Sequence, residues 1–148
     1  MCLILLPVSN YFYLNSMNKV IISPTSNTPK VILDPDNFIF EISGESRPFD
    51  VPTFYQPLLT WLEEFGKHLA KMNDVIRPFD FIFNLEYFNS LSAKYILDLC
   101  KKLSKIHLEG YPINVKWQYE DGDDYMLETG QEMSKISRLP FEYEIVKS

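Results

Sequence analysis

The residues with the most chemical promise stand where a run of alternating apolar side chains gives way to a helical pattern, at Asn89-Ser90-Leu91-Ser92-Ala93-Lys94. A serine leaving the carboxyl end of a strand in an open α/β sheet occupies the place where ligands and exposed functional groups gather. The first amides of the following helix lack intrahelical partners and carry partial positive charge. A phosphoryl group on Ser90 would therefore meet N–H donors, with Lys94 one turn on. The pattern describes a phosphorylation switch. A plain capping role competes with it, because Ser and Asn are favoured N-cap residues and either Asn89 or Ser90 could do no more than satisfy an amide of the next turn. Ser92 is a second candidate acceptor, partly engaged in the helix near its N2 position.

Other chemistries find less support. A serine hydrolase needs a base beside its nucleophile, yet His68 and His107 fall late in two different helical patterns and no G-x-S-x-G elbow occurs. The same two histidines show no H-x-x-x-H or H-E-x-x-H spacing, so neither a metal site nor a cofactor is expected. Cys2 and Cys100 form no C-x-x-C pair and no disulfide framework, which points to a reducing cytoplasm, with Cys100 an inert small hydrophobe. Glu120, Asp121, Asp123, Asp124, Glu128 and Glu132 gather without a base among them. They could bind a cation or a basic partner, but acids at a helix start already suit the helix dipole and read more simply as a solvated face. Phe54, Tyr55 and Trp61, at helical spacing, read as core and not as a cofactor slot.

These side chains need a scaffold, and the composition supplies one. The 148 residues are 46% apolar and 23% charged and include 11 Phe, 9 Tyr and 2 Trp, enough for a single self-supporting core. A net charge of −6 repels phosphate backbones and anionic lipid heads, so nucleic acid and membrane are not expected partners. Residues 1–16 open with an apolar run from Cys2 to Leu6 that stops at Pro7 with no basic residue before it. That is too short for a signal peptide and far short of the ~20 apolar residues of a membrane span. The pattern changes at Met17, so Met17 is expected to be the real start, with residues 1–16 an appendage and 17–148 a single domain.

Along that domain, Val20–Ser23, Val31–Leu33 and Phe38–Ser43 read as three short strands. The turn Asp34-Pro35-Asp36-Asn37 makes the second and third antiparallel. Phe54, Leu58, Trp61, Leu62, Phe65 and Leu69 recur at helical steps. Pro52 suits the first turn of that helix, while Pro57 predicts a later start or a bend. Phe79, Phe81, Phe83, Leu85 and Tyr87 alternate with a second set that is also largely apolar, which predicts a central strand covered on both faces. A helix from Leu91 to Ile106 follows and stops at Gly110 and Pro112. Ile113 to Glu120 then forms a strand with one dry face, Asp123 to Ser134 an acidic helix, and Phe141 to Val146 a last strand. Strands alternating with helices in the second half imply right-handed β-α-β units. The fold class is α/β, a mixed sheet with an N-terminal antiparallel meander and helices packed on it. No internal repeat or low-complexity tract interrupts it.

Several stretches together carry a resemblance. They are Thr28-Pro29 with Val31-Ile32-Leu33-Asp34-Pro35, Phe40 through Ser46, Phe54-Tyr55-Gln56-Pro57 with Trp61-Leu62, Leu85 through Ser90, Lys94-Tyr95 and the strand around Trp117. From Met17 onward the sequence resembles the SiaC family of bacterial regulatory phosphoproteins, long catalogued as a domain of unknown function, and the likeness covers nearly all of residues 17 to 146. The resemblance implies a STAS-like fold and a cytoplasmic, non-enzymatic regulatory adaptor for cyclic di-GMP signalling. It implies three partners: a serine/threonine kinase of the histidine-kinase-like ATPase class, a PP2C-type phosphatase, and a diguanylate cyclase that the unphosphorylated form binds and activates. The family's Asn-Thr-Ser-Ser-Ser-Lys segment falls on Asn89, Ser90, Leu91, Ser92, Ala93 and Lys94, so its acceptor threonine becomes Ser90. Leu91 and Ala93 depart from that pattern. A STAS-like sensor that holds a small molecule at the same strand end is the alternative.

Overall fold

The computed structural model describes residues 17–72 and 76–147. The expected appendage of residues 1–16, with Cys2, lies outside the described residues. Six strands form one sheet in chain order: β1 (Val20–Ile22), β2 (Lys30–Asp34), β3 (Ile39–Ser46), β4 (Phe79–Phe88), β5 (Ile113–Glu120) and β6 (Phe141–Val146). Strands β1, β2 and β3 pair antiparallel, whereas β3/β4, β4/β5 and β5/β6 pair parallel. The parallel pairs are joined in turn by helices α1 (Val51–Lys71), α2 (Ser90–Leu108) and α3 (Asp124–Ser137).

Local chemistry sets each boundary. The Asp34 carboxylate accepts the amides of Asp36 and Asn37 at 3.0 and 3.1 Å and the Asn37 side-chain N–H at 2.9 Å, which closes the turn between β2 and β3. Asp50 caps α1 by accepting from the Thr53 amide at 3.2 Å. The helix starts at Val51 and runs on through Pro57, so the later start does not occur. The missing N–H of Pro57 leaves the Thr53 carbonyl without its usual donor one turn into the helix, and burial of Tyr55, Leu58, Leu59 and Leu62 on the same element holds it together.

Each crossover advances the sheet by one strand in the same direction, and connections of a single hand then place every helix on the same face. The burial pattern agrees. Leu33, Phe40, Phe81 and Val115 are buried across one row, while the alternate row holds Ile32, Glu41, Ile82, Lys116 and Glu142 in partly or fully exposed positions. The expectation that β4 is covered on both faces is therefore wrong. A singly wound sheet has one open face, and here that face is laced by Lys30–Glu41 and Asp80–Lys116–Glu144 ion pairs. On the covered face an aromatic layer fills the interior, with Phe40 stacked on Phe81 and Trp117 on Phe141.

Candidate functional site

A β-bulge at the end of β4 decides how the chain leaves the sheet. Gly44 pairs with Leu85 but Glu45 pairs with Tyr87, so Glu86 is the extra residue. The slip turns the following side chains over. Tyr87, which simple alternation would set on the face of Phe83 and Leu85, stands about half exposed, and Phe88 turns inward to meet Trp117 edge-on at 6.4 Å. The chain then enters α2.

Asn89 is the N-cap. Its Oδ1 accepts the Ser92 amide at 2.8 Å, its carbonyl accepts the Ala93 amide at 2.9 Å, and its own N–H donates to the Ser46 carbonyl at 3.1 Å. The capping role thus belongs to Asn89, and Ser90 stands at N1 with an exposed side chain. Among the described residues, the Ser90 hydroxyl and the Ser90 and Leu91 amides have no protein partner. Lys94, one turn on, is exposed, with its Nζ 5.4 Å from the Tyr95 ring centroid.

Ser92 has a different environment. It occupies N3 and is fully buried, where its Oγ accepts from Ser46 Oγ at 2.9 Å. Ser46 Oγ in turn lies 2.6 Å from Tyr55 Oη. This chain of three hydroxyls joins β3, α1 and α2 beneath the Ser90 turn. Burial outweighs the hydrogen bonding within this hydroxyl chain and pushes the Tyr55 hydroxyl up to about 12, so it stays neutral at physiological pH. Sequence reading missed this network, because a Tyr at a helical apolar position and a Ser at a strand end give no sign that they meet.

Ser90 opens onto a groove of about 410 Å³ whose walls include Glu86, Tyr87, Ser90, Asp123, Tyr125 and Thr129. The far wall is the first turn of α3, capped by Asp123, whose carboxylate accepts the Met126 amide at 3.1 Å. Part of the acidic run therefore does face the predicted serine, which spacing alone did not reveal. Neither histidine lines the groove, and His68 stacks on Phe65 inside the helical layer. Cys100 is buried on α2, which pushes its thiol above the usual range. No group of three His, Cys, Asp or Glu side chains converges as a metal set among the described residues. No helix among them is long and apolar enough to cross a membrane.

A one-layer helical cover on a singly wound mixed sheet, with an exposed serine at the start of α2, defines a small mixed α/β domain. The chain belongs to the SiaC family of regulatory phosphoproteins, whose model matches residues 22–146. An uncharacterized protein of Pseudomonas aeruginosa is 25% identical over 125 residues, covering 84% of this chain and 94% of that protein. The apo-SiaC crystal structure from the same organism superposes with a TM-score of 0.73 at 24% identity, over 86% of this chain and 99% of that one. Pseudomonas aeruginosa SiaC solved in complex with the diguanylate cyclase SiaD, which it activates, gives a TM-score of 0.74 at 24% identity, over 86% and 99% of the two chains.

Proposed function

We propose that this protein is a cytoplasmic, non-enzymatic adaptor that binds and activates a diguanylate cyclase when Ser90 is unmodified and releases it when Ser90 is phosphorylated. A serine/threonine kinase of the histidine-kinase-like ATPase class adds the phosphate and a PP2C-type phosphatase removes it. One observation carries the assignment of Ser90: its hydroxyl is exposed at N1 with no partner among the described residues, whereas the Ser92 hydroxyl is enclosed and already bonded to Ser46.

The surroundings suit a protein partner. Exposed Tyr87 and Tyr125 line the groove with Ser90, and exposed Leu91 follows it in α2, apolar surface of the kind that partner proteins cover. A phosphoryl group adds a charge of roughly −1.5 to −2 on that surface, and a docked effector without matching donors would be repelled. Family membership and the SiaC–SiaD complex support a diguanylate cyclase as the effector.

The test compares cyclase affinity for wild type, Ser90→Ala and Ser90→Asp. Tight binding by the first two and weak binding by the third is expected, and equal affinity of the Asp form and wild type overturns the switch. Phosphopeptide mapping after incubation with a kinase of this class is expected to find Ser90 modified. Modification at Ser92 instead would move the site and require local opening of α2. Thermal stabilisation by small metabolites but not by a cyclase would favour the sensor alternative.

A further inference from the structure

A phosphate on Ser90 would share its groove with carboxylates: Glu86 and Asp123 line it, and Glu45, next to last in β3, pairs with Tyr87. A candidate balancing cation lies outside the switch motif, just past the end of the neighbouring strand β3. Ser46 pairs with Phe88, and its carbonyl accepts the Asn89 amide. Neighbouring strand backbones run about 4.8 Å apart, so Arg47 stands beside Asn89, with Ser90 one residue beyond. Ser46 points into the core, and Arg47 therefore points outward, where its Cζ lies 5.7 Å over the Tyr87 ring. Tyr87 and Ser90 line the same groove.

Arg47 is held lightly. Its guanidinium pairs with Glu45 at 2.9 Å, and both side chains are more than one-third exposed, at 53% and 36%. Solvent screens such a pair, and a phosphate dianion offers more charge and three acceptor oxygens in place of one carboxylate. Lys94 stands one turn on in α2, but an ammonium acts as a point charge without the fork of a guanidinium.

We propose that Arg47 is the residue that reads the modification, exchanging Glu45 for the Ser90 phosphate and gripping it with paired N–H donors. The exchange uncovers the Tyr87 ring and frees the Glu45 carboxylate, so the effector face changes in shape and charge beyond the phosphate itself. This inference rests on Ser90 being the acceptor.

The test uses the full chain with phosphoserine installed at position 90 during translation, so that no kinase is needed, and follows the second phosphate ionisation by ³¹P NMR. A paired guanidinium favours the dianion. The ionisation midpoint in Arg47→Gln is expected to lie at least about half a pH unit above wild type, with Arg47→Lys between them and Lys94→Gln shifted less than Arg47→Gln. An Arg47→Gln titration that overlays wild type, or a shift carried wholly by Lys94→Gln, overturns the proposal. Because translation places the phosphate, a null result here says nothing against Ser90 as the natural acceptor. Finding Ser90 unmodified in cells would instead overturn the switch and leave this titration standing.

Discussion

Gly130→Ala is the sharpest test of how α3 is seated. A Cβ built on Gly130 falls 2.5 Å from both Cδ1 and Nε1 of Trp117 and 2.7 Å from Cε2. Carbon atoms pack at about 3.5–4.0 Å, so helix or indole must retreat by about 1 Å. The indole has little room to do so. It is buried, its Nε1 donates to the Met126 carbonyl at 3.0 Å, and its ring is stacked at 15° on Phe141 and packed on Phe83. Overpacking of this kind costs about 1–3 kcal/mol, while replacing a helical glycine by alanine returns up to about 1 kcal/mol. The clash wins, and a net loss of about 1–2 kcal/mol lowers Tm by roughly 2–8 °C in a domain of this size. Thermal unfolding by circular dichroism measures it, and the near-ultraviolet tryptophan signal reports the displaced indole. Gly66→Ala is the control, since its Cβ meets only the Ile106 side chain, at 3.3 and 3.7 Å. A Gly130→Ala protein that gains stability would refute the placement of Trp117 beneath α3. Because the first turn of α3 walls the groove beside Ser90, the same substitution is expected to weaken effector binding.

Other expectations follow from the same contacts. Urea unfolding should rank Ser92→Ala and Asn89→Ala as destabilised by about 1 kcal/mol each and Ser90→Ala as within about 0.5 kcal/mol of wild type. Equal losses at Ser90 and Ser92 would show that the hydroxyl network is misassigned. The folded state holds the Tyr55 proton more tightly than the unfolded chain does. Its contribution is therefore complete below pH 10.0 and lost as pH climbs through about 12, and stability measured against pH should lose that alkaline segment in Tyr55→Phe. Glu63 ties α1 to α2. The hydrogen bond from Lys102 at 2.8 Å, then its charge and that of Lys105, hold the Glu63 carboxyl below its ordinary value. That contribution is present at neutral pH and vanishes as acid protonates the folded carboxylate, so Glu63→Gln should flatten the acid limb of the same curve.

Much of this architecture was legible because it is local. Asp34-Pro35-Asp36-Asn37 closes its own turn, Asn89, one of the two residues read as a cap, caps the helix that follows it, and the strict alternation from Ile113 to Tyr119 reads as a half-buried strand without outside help. The apolar run in β4 misled for a physical reason. Ile82 looks like core on composition, but whether a face is covered depends on where three separate crossovers put their helices, and no local pattern encodes that.

The serine at the strand end, its neighbours and the family likeness all came from the order of residues along the chain. Which hydroxyl is free came from long-range pairing. A bulge against β3 turns Tyr87 out, a tyrosine from α1 and a serine from β3 enclose Ser92, and α3 arrives to wall the groove. Side chains distant in sequence meet only when loop-closure entropy has been overcome by the whole core at once, so their contacts leave no periodic trace for a reader of the chain to find.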